Sequence, residues 1–325
     1  MKLKKKHHYV SQFYLKAWSI HKDQIFAYDE KSPPFLVKTN ATAYSKFFYR
    51  VNPLSINGIS ALDNIAKVLN AHNTVIYEKI IQSINRVIFK SKIHQDSRPI
   101  EQSNSYQELD EMIKELQTNC LEDYFAFFED KASTVLKKIL KDKEIYIDWK
   151  DYQNLIFFIT LQFLRTRKVL DQANTEFHKY YPTLTKEEMY TISIYTSLIM
   201  NTKLSQSLTS DLYTLHIVKN STNVNLITSD NPCINYKFNE TNNTEFECVF
   251  PISPHIYLIL KENSYCKNSK KIILEDIESQ PNKNLINTLI FLEDTSDLNK
   301  IIWVNSLIKK HKNRYIYAQN NKDLM

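Results

Sequence analysis

The chain holds one glycine, Gly58, in 325 residues, and that scarcity excludes chemistries whose geometry leaves no room for a Cβ. A P-loop converges backbone N–H groups on phosphate oxygens, and a dinucleotide-binding turn approaches a pyrophosphate closely; both need glycine. The G-x-S-x-G turn of an α/β-hydrolase is missing for the same reason. Asn tolerates the left-handed backbone that glycine usually supplies, so Asn242-Asn243 and Asn320-Asn321 are expected turn sites. Cysteine is sparse too. Cys120, Cys233, Cys248 and Cys266 form no C-x-x-C pair, and neither H-E-x-x-H, H-x-H, a Cys/His zinc spacing nor the Arg-to-His spacing of helical ribonucleases occurs. The longest apolar segment, Leu155 to Leu164, is interrupted by Thr160 and Gln162 and falls short of the ~20 residues of a membrane helix, so no span is expected. With no apolar leader in view either, a reducing cytoplasm is the expected setting.

What is present is an ordinary globular balance, 43% hydrophobic and 24% charged. It supports a single compact α+β unit over residues 1–325, with an extended segment over 1–55, a helical region over 56–205 and a β-rich region over 206–325. The net charge of +6 is visible in Lys2, Lys4, Lys5 and Lys6 and again in Lys309, Lys310, Lys312 and Arg314. Such clusters either neutralise the phosphates of a nucleic acid or simply solubilise a terminus.

Gln24 to Asp29 alternates with period two, and Pro33-Pro34 turns the chain before Phe35-Leu36-Val37, which spells a hairpin. Ser60 with Asp63 opens a long helix through Ile65, Leu69, Ile76, Ile80 and Ile84. Helices are expected over 106–118 and 121–141, then one from Asp148 to about Tyr180, then one capped by Thr185 and Glu188. From about residue 212 the period becomes two, through segments near 212–218, 225–228, 247–250 and 256–260, the pattern of a mainly antiparallel sheet. A helix after Pro281 through Leu285, Leu289 and Leu292 and a strand over Arg314 to Ala318 complete the pattern.

Three constellations carry chemistry. Gln162 and Arg165 lie on the helical stripe Leu155, Phe158, Gln162, Arg165, Val169, so a guanidinium is due to be buried and must meet a carboxylate, carbonyls or an anionic ligand, with Asp230 the expected partner. Ser229-Asp230-Asn231-Pro232 ends a strand, where a rigid element aims a short polar side chain; the plainer alternative is an Asx turn. His7 and His8 can serve as metal ligands or as general acid and base, although in an extended segment one faces in and the other out.

The runs His7-His8-Tyr9-Val10-Ser11-Gln12-Phe13-Tyr14-Leu15, Gln162-Phe163-Leu164-Arg165-Thr166, Ser229-Asp230-Asn231-Pro232, Phe250-Pro251-Ile252-Ser253-Pro254 and Arg314-Tyr315-Ile316 together resemble the bacterial domain-of-unknown-function family 4238. Ser11 and Arg167 stand where the family pattern has Pro. The resemblance implies that His7, His8, Gln162, Arg165, Asp230 and Asn231 converge, and it links some members to phage defence. It supplies no reaction. The leading expectation is a defence-linked bacterial effector, a nuclease or nucleotide hydrolase. In it His7, His8 and Asp230 are catalytic, with or without a divalent metal ion, and Gln12, Gln162, Arg165 and Asn231 bind substrate. Its partners would be nucleic acid or a nucleotide, no membrane, and a protein of the same defence system. The competing expectation is a non-enzymatic sensor or interaction module whose polar residues tie helix to sheet. Exposure separates the two, since catalytic groups line an open pocket and a tie is sealed.

Overall fold

In a computed structural model the chain is described over residues 3–21, 23–96, 104–141, 147–210, 212–238, 245–263 and 289–325. It is mixed α and β, with an N-terminal extended segment and hairpin, a helical middle and a C-terminal, mainly antiparallel sheet. Its residues sort into two compact units, each assembled from three segments: Met1–His8, Tyr44–Phe127 and Val169–Lys203 in the first, Tyr9–Ala43, Phe128–Lys168 and Leu204–Met325 in the second. The units therefore do not follow the three stretches recognisable in the sequence. Among the described residues no helix is long and apolar enough to cross a membrane.

In the first unit, strand β1 (Lys6–His8) pairs antiparallel with β4 (Tyr44–Lys46). The expected long helix divides into α2 (Ile56–Val68) and α3 (Val75–Asp96). Its cap is Ser55, which accepts the Gly58 N–H, in place of Ser60. It breaks because Asn70 turns left-handed at φ 51° while Ala71 N–H reaches back to Ala66 O, a helix stop that usually employs glycine. Gly58 itself lies inside α2, where an added Cβ would stand 3.0 Å from Glu188 Oε1 and 3.3 Å from Leu54 Cβ. Its single hydrogen serves close approach, and the left-handed positions fall instead to Asp23, Glu30, Ala43, Phe47 and Asn70. Asn320 is extended, and Asn242-Asn243 lie outside the described residues, as do Lys2 and Cys266.

The two helices expected over 106–141 are one, α4 (Asn104–Lys141). Asn119, the residue at the expected break, accepts the Lys4 N–H at 2.9 Å, so its amide has a tertiary partner and does not compete for helix backbone. The helix expected over 148–180 is conversely two, α5 (Trp149–Leu164) and α6 (Arg167–Tyr180), although no proline interrupts it. The Arg165 N–H closes α5 on Leu161 O at 3.1 Å, and at this break the side chains of Arg165 and Thr166 make tertiary bonds. The capping box of α7 (Lys186–Leu208) is as expected, with Thr185 Oγ1 accepting the Glu188 N–H at 3.2 Å and Glu188 Oε2 accepting the Thr185 N–H at 3.1 Å.

The second unit contains two sheets. One has the order β10-β5-β9-β8-β7, built from β5 (Tyr213–Asn220), β7 (Ile234–Asn235), β8 (Cys248–Ser253), β9 (Ile256–Glu262) and β10 (Ile290–Thr295), with β10 parallel to β5 and the remaining pairs antiparallel. Leu292 thus belongs to a strand and not to the expected helix, whose Pro281 and Leu285 lie outside the described residues. The other sheet, β3-β2-β11-β6, comprises β2 (Gln24–Tyr28), β3 (Phe35–Lys38), β6 (Thr228–Ser229) and β11 (Ile316–Ala318). Ile316 and Ala318, with Phe26 and Tyr28, pack against Ile301, Val304 and Ile308 of the last helix, α8 (Leu298–His311). Alternation along β11 turns Tyr315 and Tyr317 to the opposite face.

Candidate functional site

Gln162, Arg165, Asp230 and Asn231 all belong to the second unit, together with Tyr9, Ser11 and Gln12, whereas His7 and His8 belong to the first. In the second unit the side chains interlock around the α5–α6 break. Arg165, only 1% exposed, pairs with Glu129 on α4 and donates to Ser11 Oγ at 2.7 Å. Gln162 donates to Tyr9 O at 2.8 Å, and its Oε1 stands 3.5 Å from the Ser11 N–H. The buried guanidinium was expected to meet Asp230; its carboxylate is Glu129, which directly follows the apolar run Phe125-Ala126-Phe127-Phe128 and precedes Asp130. Ser11 has φ −60° and ψ 133°, a conformation that proline can also adopt. Gln12 opens the short helix α1 (Gln12–Leu15) and is half-buried.

Asp230 is fully buried, and its oxygens take backbone N–H groups. Oδ1 accepts from Asn313 at 2.9 Å, and Oδ2 accepts from Arg314 at 2.8 Å and Tyr315 at 3.1 Å. Its own N–H donates to Tyr315 O at 3.1 Å. Burial pushes the carboxyl pKa up, and the amides of Tyr315, Asn313 and Arg314 pull it down. The local turn bond falls to Ser229, whose hydroxyl accepts the Asn231 N–H at 3.1 Å, which leaves Asp230 to bond the distant loop. Asn231 accepts from Thr166 Oγ1 at 2.8 Å and donates to His311 O at 3.0 Å, and Lys168 Nζ donates to that same carbonyl at 3.0 Å. Asp230 consequently braces the segment between α8 and β11, while Lys168 and Asn231, the latter held by Thr166, brace the end of α8.

That segment is basic. Lys310 and Arg314 are exposed, Lys309, His311 and Lys312 half-exposed, and Arg167 and Lys168 stand at the start of α6. Burial lowers the His311 pKa, and the charges of Lys168 and Lys310 lower it further, the signature of crowded cations. Burial likewise lowers that of Lys168, with Asp230 opposing and Lys312 adding to the fall. An open depression of about 480 Å³ is lined by Lys31, Lys310, Lys312, Asn313 and Arg314 with Asp29 and Glu30. Glu30 pairs with Lys312 at 2.7 Å and Asp29 with Arg314 at 3.6 Å, leaving cations in excess.

His7 and His8, in the first unit, are both buried, so neither is the solvent-facing residue expected of an alternating strand. Both ring nitrogens of His7 meet backbone. Nδ1 accepts the Tyr49 N–H at 2.8 Å, which assigns the proton to Nε2, and Nε2 donates to Lys4 O at 2.7 Å. Burial lowers its pKa, with the Lys4 carbonyl opposing and the Lys4 charge reinforcing. His8 lies against Tyr44, ring centroids 5.5 Å apart. Among the described residues no three His, Cys, Asp or Glu side chains gather closely enough to hold a metal ion.

The remaining runs of the pattern also meet in the second unit. Tyr14 OH hydrogen-bonds Thr228 Oγ1 at 2.5 Å and donates to Pro251 O at 2.6 Å, and its ring stacks on Phe250 at 4.9 Å. No curated protein and no solved structure matches the chain. One family model does, over residues 6–322, and the chain accordingly belongs to the family described as protein of unknown function DUF4238.

Proposed function

We propose that the protein binds a phosphate-bearing ligand, nucleic acid or nucleotide, on the basic turn Lys309–Arg314 flanked by Arg167 and Lys168. The observation that carries this reading is that Asp230 holds the amides of Asn313, Arg314 and Tyr315 while Asn231, itself bonded by Thr166, and Lys168 hold the His311 carbonyl, so this basic stretch is fixed at both ends. A turn fixed by bonds from below presents its cations already ordered, so less side-chain and loop entropy is lost on binding. Within this reading the polar motif is the helix–sheet tie and the cations are the contact surface. The bacterial defence effector that hydrolyses its ligand through His7, His8 and Asp230, with or without a divalent ion, has less support. Asp230 already accepts three amide hydrogens, and His7 has both nitrogens engaged.

The test is fluorescence anisotropy with labelled oligonucleotides, nucleotides and inorganic polyphosphate over a salt series. Binding should weaken linearly in log salt, and Lys310→Ala or Arg314→Ala should each reduce the slope by about one while the melting temperature of Lys310→Ala stays put. Absence of salt-dependent binding, or an unchanged slope in both variants, overturns the proposal. The same samples with Mg²⁺, Mn²⁺ or chelator read hydrolysis directly, through product formation.

A further inference from the structure

The basic turn is continuous with an aromatic row set by strand register. Phe35 of β3 pairs with Ala27 of β2, Ala27 with Tyr317 of β11, and Tyr317 with Thr228 of β6, so these four side chains share one face. Tyr315, two residues before Tyr317, shares that face and sits one row further out, toward the turn. Because the intervening residue is the small Ala27, the ring of Phe35 reaches that of Tyr315 edge-on at 6.3 Å. Tyr315 lies over Tyr317 at 6.2 Å and 27°, and the guanidinium carbon of Arg314 lies 4.7 Å from the Tyr315 ring centre. Tyr317 anchors the series from within, fully buried and hydrogen-bonded to Thr42 at 2.7 Å. The outer members are accessible: the Arg314 side chain is 64% exposed and Phe35 is 40% exposed.

We infer that this row, Tyr317–Tyr315–Arg314 with Phe35 beside it, is a stacking platform, and that the ligand of the basic turn is a single-stranded nucleic acid. The inference rests on the phosphate-binding reading above and narrows it. A duplex offers phosphates but keeps its bases stacked on one another, whereas a single strand presents free π-faces. Bases stack on aromatic rings and on arginine planes irrespective of sequence. Lys310, Lys312 and Arg167 supply charge along the backbone path, and Arg314 and Phe35 supply the surfaces for bases. Arg314 therefore has two roles, charge and plane, and a substitution can separate them.

Labelled oligo(dT) and oligo(U), the corresponding duplexes and inorganic polyphosphate are titrated against the full chain and against Arg314→Lys, Arg314→Ala and Phe35→Ser. The native chain should bind both single strands about tenfold or more tightly than a duplex of equal length. Arg314→Lys keeps the charge and loses the plane, so it should retain polyphosphate and duplex affinity while the single-strand preference falls several-fold, with Phe35→Ser behaving alike. Arg314→Ala should weaken every ligand. Equal affinity for single strand and duplex, or single-strand affinity unmoved in Arg314→Lys and Phe35→Ser, overturns the platform and leaves the basic turn standing. Failure of polyphosphate and both oligonucleotides to bind overturns both. The oligo(dT) and oligo(U) arms separate DNA from RNA as the source.

Discussion

Asp230 and Arg314 are joined by one hydrogen bond of 2.8 Å, and they could hardly be more different in surroundings: the first is fully buried, the second has a side chain 64% exposed. The acid bonds only backbone, whereas the guanidinium lies over a tyrosine ring and faces water. The side chains easiest to pick out in the sequence, polar groups within apolar runs, are the inner brace. The residues we propose as ligand contacts belong to a lysine-rich stretch that reads as ordinary surface. Substituting the brace should register in folding, and substituting the turn should register in binding.

The largest effect is expected at Asp230. Asp230→Ala leaves three N–H groups without an acceptor and should cost about 3–5 kcal/mol in chemical denaturation, with anion binding lost as the turn loosens. Asp230→Asn keeps one acceptor oxygen and should lose less. A normal melt for the alanine variant would remove the distinction between brace and turn. Next comes Arg165→Ala, which strands Glu129 and opens space at a site that is 1% exposed, for about 3 kcal/mol. Removing both charges in Arg165→Met with Glu129→Leu should recover most of that loss; if the double variant is no better than the single, the ion pair is not the reason Arg165 is inside.

The smallest effect belongs to His7, a neutral brace in the other unit. Its folded pKa lies below the ordinary 6.5, so on acidification the unfolded chain takes up a proton that the folded one refuses. Stability attached to His7 is complete above that ordinary value and is lost as the pH falls through it toward the folded pKa. The melting temperature should accordingly drop between about pH 7.5 and about pH 5.5. His216 and His311 are shifted the same way, largely by burial, so His7→Ala should flatten the profile only in part. An identical acid profile in the variant would show that His7 does not carry its share.

Periodicity made the helical middle and most strands of the β-rich region legible, and the Thr185–Glu188 capping box is a local device; the Ser60 cap, β10 and α8 were not legible. Helix continuity was not legible, since its determinants are distant. α4 runs through Asn119, whose amide meets Lys4, and α5 stops at Arg165, where the side chains of Arg165 and Thr166 meet Glu129, Ser11 and Asn231, residues remote in sequence. The polar members of the site were recognisable one at a time, but their pairing was not. Nothing in the spacing distinguishes a carboxylate bound for a guanidinium from one bound for three amides 83 to 85 residues away.

Three consecutive amides, Asn313, Arg314 and Tyr315, share the carboxylate of one residue as acceptor. They cannot be released one by one as at a fraying helix end, because withdrawing Asp230 uncovers all three. Their exchange with deuterated solvent should therefore follow a single opening event, with closely similar protection at each position. That common rate is a built-in clock for the turn, and any ligand that steadies the basic surface will slow all three hands together.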